Sequence, residues 1–128
     1  MRLFHFTARK YLQAIQENGI SRGSIATSPS EAIQGAWLTS DPSWTSQEWT
    51  RASAHDKTQL RITVDIPDDT GKLWHWHDLA RELKLDPEWI EILVSVRGNP
   101  DPWHVFLGVV RPEWIVAVEE RPQGMGRQ

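Results

Sequence analysis

The stretch RLFHFT, residues 2–7, decides how the start of the chain folds. Its side chains alternate with a period of two, which is typical of a β-strand with two different faces. One face carries Phe4 and Phe6, and the other carries Leu3, His5 and Thr7. The second face therefore offers an imidazole and a hydroxyl side by side, a pair suited to holding a sugar hydroxyl or an amide. The alternative is a histidine whose ring is satisfied by the backbone.

The residues after this strand predict a helix over 8–18, ARKYLQAIQEN. Tyr11, Leu12 and Ile15 form its apolar stripe. Thr7 is placed to act as the N-cap, and Gly19 follows the last turn where a left-handed C-cap is expected. The sequence thus predicts a strand that leads directly into a helix.

The next segment, 21–33, is rich in Ser and Gly and predicts a loop. Residues 35–40, GAWLTS, predict a short strand with Trp37 and Thr39 on the same face. Residues 43–52 suit a short helix that carries two of the tryptophans.

The second half of the chain is rich in predicted strands. The expected elements are strands over 58–66, 72–75, 103–110 and 114–119 and a helix over 78–85, with 88–96 ambiguous between helix and strand. Helices cluster early and strands late, which favours an α+β domain over a doubly wound parallel sheet. We expect one domain over residues 1–120 and a disordered tail over 121–128.

Composition narrows the classes of function. The 128 residues have a net charge of −3 and a pI near 5.9, which disfavours non-specific nucleic-acid binding. No cysteine is present, so disulfide and thiolate chemistry are excluded. No apolar run approaches the roughly 20 residues that span a bilayer, and the N-terminus lacks a signal-peptide pattern, so a cytoplasmic protein without a membrane partner is expected. The eight tryptophans predict an aromatic-lined cleft or interface.

The order of these motifs resembles the ADP-ribosyltransferase-like superfamily. LFHFT, a helix ending in Asn18-Gly19-Ile20, a Ser/Gly-rich loop and AWLTSD follow one another as in its small bacterial and phage members, including DNA-targeting ADP-ribosyltransferase toxins. The resemblance covers nearly all of residues 2–119. It implies a small split β-sheet with helices packed on it, and NAD as the substrate of ADP-ribose transfer or NAD cleavage in a toxin or phage–host setting.

The resemblance also implies a site. His5 would bond a ribose hydroxyl of NAD, and Thr39 would brace the nicotinamide end. The residues that would bind the cofactor are His5, Thr7, Tyr11, Trp37, Thr39, Ser40 and Trp44. The implied catalytic residues are His5, Thr39 and Glu113. We therefore expect His5 and Thr39 to face one groove.

Cleavage of the nicotinamide–ribose bond passes through an oxocarbenium-like transition state, which members of the family stabilise with a carboxylate. At the start of the fifth strand, where that carboxylate is expected, the chain has Trp103-His104 instead. Glu91, Asp101 and Glu113 are the nearest carboxylates, and Glu113 is taken as the candidate.

Two alternatives stay open. The same fold is also compatible with a catalytically inactive module that binds a nucleotide or a protein, since the family carboxylate is missing and tryptophan is abundant. A weaker alternative uses His75, His77 and His104 for metal-assisted hydrolysis, although no third ligand follows the H-x-H pair at a typical spacing, and no metal is predicted. The macromolecular acceptor, protein or nucleic acid, is left open.

Overall fold

The computed structural model describes residues 1–21, 23–44 and 57–122. Its strands are β1 (Arg2–Thr7), β2 (Ser24–Ala26), β3 (Ala32–Gln34), β4 (Ala36–Thr39), β5 (Leu60–Asp65), β6 (Leu73–His75), β7 (Trp103–Phe106) and β8 (Ile115–Glu120). Its α-helices are α1 (Leu12–Asn18), α2 (Trp76–Glu82) and α3 (Pro87–Arg97). Two short 3₁₀ turns, Arg9–Tyr11 and Pro112–Trp114, precede α1 and β8.

Six strands form one sheet in the order β6-β7-β4-β1-β5-β8, and every pairing in it is antiparallel. β2 and β3 pair with each other as a separate hairpin. The predicted α+β class is confirmed. The first strand of the chain lies between β4 and β5, so both of its edges are paired with neighbouring strands.

The two faces of the sheet carry separate apolar cores. The face of β1 that bears His5, called here the His5 face, packs against α1 and the second 3₁₀ turn through Leu3, Ile15, Ile62 and Phe106, among others. The opposite face, called the Trp37 face, packs against α2, α3 and the hairpin. Its buried residues are Ile25, Trp76, Leu79, Ala80, Leu93, Trp103 and Val105.

The helix predicted over 8–18 is present in part. A 3₁₀ turn occupies Arg9–Tyr11 and α1 begins at Leu12, and Thr7 remains in β1, so the prediction that Thr7 caps the helix is wrong. Gly19 follows α1 with the expected positive φ of 79°, but its ψ of −174° differs from that of the predicted left-handed cap. A Cβ there would lie 2.1 Å from the Val110 carbonyl oxygen. Glycine is therefore required at this position, next to the β-bridge between Ile20 and Val110.

The loop predicted over 21–33 is wrong, because this segment contains β2 and most of β3. The strands have only three residues each, too few for the alternation pattern to stand out. Their stability comes from tertiary contacts: Ile25 is buried in the Trp37-face core, and the indole N–H of Trp89 donates to the Ala26 carbonyl at 3.2 Å.

The remaining predicted strands are confirmed, four of them with shorter bounds and the last shifted by one residue, and the predicted helix over 78–85 appears as α2. The ambiguous segment is helical in α3, which Asp86 caps by accepting a hydrogen bond from the Glu88 N–H at 2.8 Å. The predicted helix over 43–52 and the predicted disordered tail extend outside the described residues. None of the described helices has the length and apolarity needed to cross a membrane.

Candidate functional site

A groove opens on the Trp37 face, at the end of the sheet that α3 reaches. Its volume is about 310 Å³, including the part open to solvent. The residues that line it are Phe4, Trp37, Leu38, Thr39, Arg97 and Trp103. It is thus walled mainly by aromatic rings, with one hydroxyl and one cation.

Strand register places the floor of this groove. Phe4 of β1 pairs with Thr39 of β4, and Thr39 pairs with Trp103 of β7. Directly paired residues of an antiparallel sheet project from the same face, so these three form one row across the sheet. Trp37 lies two residues before Thr39 and therefore on the same face. α3 packs over this face and ends at Arg97.

Arg97 is the charged group of the groove. Its guanidinium carbon lies 5.3 Å from the centroid of the Trp37 ring, within the range of a cation–π interaction. The side chain is partly buried, and burial lowers its pKa, although arginine remains protonated in proteins. No carboxylate within the described ranges forms a salt bridge with it. The groove therefore holds a partly desolvated positive charge.

The aromatic walls are held in place by their own contacts. Trp37 and Trp103 meet edge to face at 5.8 Å between ring centroids, and Trp103 meets Trp76 at 5.2 Å. The indole N–H of Trp37 donates to the Ser24 carbonyl at 3.2 Å. These contacts fix two ring faces before any ligand enters, which lowers the entropy cost of binding.

Thr39 supplies the hydroxyl. Its Oγ1 accepts a hydrogen bond from the Asp41 N–H at 3.0 Å. An accepting hydroxyl keeps its own hydrogen, so Thr39 can still donate to an oxygen in the groove.

His5 projects from the opposite face of the sheet from Thr39. Phe4 pairs with Thr39, so Thr39 shares the face of Phe4, whereas His5 is the next residue of β1 and points the other way. The prediction that His5 and Thr39 face one groove is therefore wrong. The period-two pattern of each strand was correct, but the sequence does not state how the two strands align, and a shift by one residue exchanges the faces.

The imidazole of His5 is used within the fold. Its Nδ1 lies 2.9 Å from the Trp37 carbonyl oxygen, and because a carbonyl can only accept, Nδ1 carries the hydrogen. Burial lowers the pKa of His5 most strongly, and the charge of Lys57 lowers it further, against the opposing effect of this hydrogen bond. His5 is therefore neutral near pH 7. Thr7, on the same face, is also buried and pairs with Leu60 of β5.

The other residues implied to bind a cofactor are spread over the molecule. Tyr11 lies in the first 3₁₀ turn, exposed, with the Lys10 ammonium 5.1 Å from its ring centroid. Ser40 follows β4, and its N–H donates to the Pro102 carbonyl at 3.0 Å. Trp44 contacts Phe6 on the Trp37 face, and it is not among the residues that line the groove.

The candidate carboxylates do not reach the groove either. Glu113 lies in the second 3₁₀ turn, exposed, and pairs with Arg111 at 2.8 Å. Glu91 is on α3 and Asp101 lies in the loop before β7, both exposed. None of the three is among the lining residues. Of the implied site residues, the structure brings only Trp37 and Thr39 together.

Three histidines meet near the start of β7, where His104 directly follows Trp103. The ring centroids of His75 and His77 are 5.1 Å apart, and those of His75 and His104 are 5.0 Å apart. Over residues 1–21, 23–44 and 57–122, no group of three or more His, Asp or Glu residues is arranged to hold a metal. Both ring nitrogens of His75 are already hydrogen-bonded, to the Asp101 carbonyl and the His77 N–H, which leaves it no lone pair for a metal.

Arg97, Phe4 and Trp103 were missed as site residues. Arg97 directly follows the segment 88–96, whose type was ambiguous in the sequence, and it reaches the groove as the last residue of α3. Comparisons of this chain with protein-family models, curated proteins and solved structures give no match.

Proposed function

We propose that this protein is a non-catalytic binding module that holds a planar, anionic ligand of the nucleotide class in the Trp37-face groove. The observation that carries the proposal is the Arg97 guanidinium, partly buried over the Trp37 ring and without a carboxylate partner among the described residues. Partial removal of this cation from water without a counter-ion is unfavourable, and a bound anion would offset that cost.

The lining matches both parts of such a ligand. The partly exposed rings of Phe4 and Trp37 suit stacking with a base, which is worth about 1–3 kcal/mol per base, whereas Trp103 is buried and packs against Trp37. Arg97 suits a phosphate, because its fork of N–H donors bonds phosphate oxygens in pairs. Thr39 adds one hydroxyl donor. The enclosed part of the groove measures only about 10 Å³, about the space of one water molecule, so a base or a phosphate would lie in the part of the groove that is open to solvent.

NAD belongs to this ligand class, so the family resemblance and the lining of the groove both suggest NAD and related nucleotides as the ligands to test. ADP-ribose transfer or NAD cleavage remains the competing proposal. That chemistry needs an imidazole, a hydroxyl and a carboxylate around one ribose, and the separation of His5 and Glu113 from Thr39 favours binding without turnover. A toxin or phage–host setting and a cytoplasmic location stay predictions.

Calorimetry with ADP-ribose, NAD and cyclic AMP tests the proposal. We expect at least one of them to bind with a micromolar dissociation constant, which Arg97→Gln weakens at least tenfold, since the charge-assisted bonds are lost. The matched control is Arg81→Gln on α2, because Arg81 is exposed and pairs only weakly with Asp78 at 3.7 Å. It should leave the affinity unchanged.

A parallel assay follows release of nicotinamide and transfer of label from NAD. We expect neither above the buffer rate. Turnover that His5→Ala abolishes, in a variant that still folds, would overturn the non-catalytic assignment in favour of the enzyme. Absence of binding for all three ligands, or equal weakening by both arginine variants, would overturn the binding proposal itself.

A further inference from the structure

The cluster of His75, His77 and His104, called here the histidine cluster, lies beside the wall of the groove. His75 ends β6 and is the N-cap of α2, His77 lies in the first turn of α2, and His104 is in β7. His75 and His77 stack with 11° between their ring planes, and His104 meets His75 edge to face. Nothing in the proposed ligand contacts uses these rings.

The hydrogen bonds of His75 fix its protonation state. Nε2 lies 2.7 Å from the Asp101 carbonyl oxygen, which only accepts, so Nε2 carries the hydrogen. Nδ1 accepts from the His77 N–H at 3.1 Å, so Nδ1 carries a lone pair. Only the neutral Nε2–H form makes both bonds. A proton added to Nδ1 removes the acceptor that caps α2.

The surroundings oppose more than one positive charge. His77 and His104 are both about 5 Å from His75 between ring centroids, so protonated rings would repel each other. Burial lowers the pKa of His104, whose Nδ1 donates to the Pro102 carbonyl at 3.0 Å. The facing carboxylates are exposed: Asp101 lies 3.9 Å from His77 Nε2, and Asp78 pairs with Arg81.

The cluster is joined to the groove by short covalent and packing links. Trp76 follows His75 directly and packs edge to face on Trp103 at 5.2 Å. The carbonyl that receives the His75 hydrogen bond belongs to Asp101, two residues before Trp103. The two ring nitrogens of His75 therefore bond two segments that hold Trp103 in place: the first turn of α2, with Trp76, and the loop residue Asp101.

We infer that the histidine cluster makes the groove pH-sensitive, because a proton on His75 releases the N-terminus of α2 and loosens the Trp76–Trp103 contact. Imidazoles gain a proton between about pH 8 and 5, so acidification through this range weakens ligand binding. The inference rests on the proposed function for its effect on binding, but the release of α2 does not depend on any ligand.

Hydrogen exchange of the ligand-free protein tests the release of α2. We expect the protection factors of amides in the first turn of α2, corrected for intrinsic exchange, to fall at least fivefold from pH 7.5 to 5.5. In His75→Asn they should stay constant, because an asparagine side chain also caps a helix and does not titrate. The matched control, His77→Gln, removes a stacked ring that caps nothing and should keep the pH dependence. Constant protection in the wild type, or the same fall in His75→Asn, would overturn the inference.

Binding of ADP-ribose at both pH values tests the link to the groove, since the charge of this ligand does not change over the range. We expect a three- to tenfold weaker dissociation constant at pH 5.5 in the wild type and less than a twofold change in His75→Asn. Pronounced weakening in both proteins would overturn the link. If ADP-ribose binds at neither pH, the proposed function fails for this probe, and the exchange experiment alone decides whether the switch exists.

Discussion

The two faces of the central sheet use their polar groups in opposite ways. On the His5 face, His5, Thr7 and His104 are largely buried, and both imidazoles bond backbone carbonyls, at Trp37 and Pro102. On the Trp37 face, Arg97 has aromatic neighbours and no ion pair among the described residues. The polar groups of the His5 face are therefore hydrogen-bonded within the fold, whereas the tryptophan-rich face has a partly buried charge without an ion pair among the described residues, at an opening.

The largest expected effect on stability comes from removing a large buried side chain from either core. Trp76→Ala on the Trp37 face should lower the free energy of unfolding by about 3–5 kcal/mol, and Leu3→Ala on the His5 face by about 2–5 kcal/mol, since both side chains are fully buried. Chemical denaturation monitored by circular dichroism measures both. The control is Val116→Ala on β8, which is 51% exposed and should change stability by less than about 0.5 kcal/mol.

These two values also test whether the faces are equally essential. A loss below about 1 kcal/mol for either core variant would show that this face is not packed as described, because such a loss is typical of surface positions. A loss of cooperativity in only one variant would show that the two cores unfold separately.

A second, smaller effect is the pH dependence of stability. The pKa values of His5 and His104 are both lowered by burial, so below about pH 6.5 the unfolded chain binds protons that the folded chain does not. Stability is then flat above pH 7 and falls as the pH drops below 6.5 towards the folded pKa values. The slope for each imidazole is at most about 1.4 kcal/mol per pH unit, the limit for one proton.

Denaturation between pH 5 and 7.5 measures this slope. His5→Asn and His104→Asn should each flatten it, because asparagine can donate to the same carbonyl and does not titrate. Stability that rises on acidification would contradict the neutral, buried assignment of both rings.

The fold was more predictable than the site for a physical reason. Period-two patterns such as that of residues 60–65 report which side chains share a face of one strand, and these assignments hold for Trp37 with Thr39 and for His5 with Thr7. Register between strands is set by packing and is not written in either strand alone. This is why the strands of His5 and Thr39 were predicted correctly, whereas the two side chains were wrongly expected on the same face of the sheet.

Predicting the groove would have required two structural features that the local sequence pattern does not reveal. The segment 88–96 is mostly apolar, which fits both a helix and a buried strand, and the helix brings the Arg97 guanidinium over Trp37. The hairpin of β2 and β3 could not be predicted, because each strand is too short to show an alternating pattern. Its Ser24 carbonyl nevertheless accepts the hydrogen bond that holds the Trp37 ring. What the composition did predict is that some of the tryptophans line a cleft.

The smallest expected effect separates two arginines that lie over aromatic rings of the same face. Arg61 is 17% exposed, stacks over Trp44 at 4.9 Å, and donates to the Pro42 carbonyl at 2.7 Å and to Glu119 at 2.9 Å. Arg61→Met should therefore lower the free energy of unfolding by about 1–2 kcal/mol, since it leaves these acceptors without their donor. Arg97→Met removes a desolvated charge and one cation–π contact, which oppose each other, so stability should change by less than about 0.5 kcal/mol or rise. Thermal and chemical denaturation of both variants measure the difference. A residue kept for a ligand is expected to cost stability rather than to supply it. A loss for Arg97→Met as large as that for Arg61→Met would instead make Arg97 a structural residue, and the two faces of the sheet would then differ in packing alone.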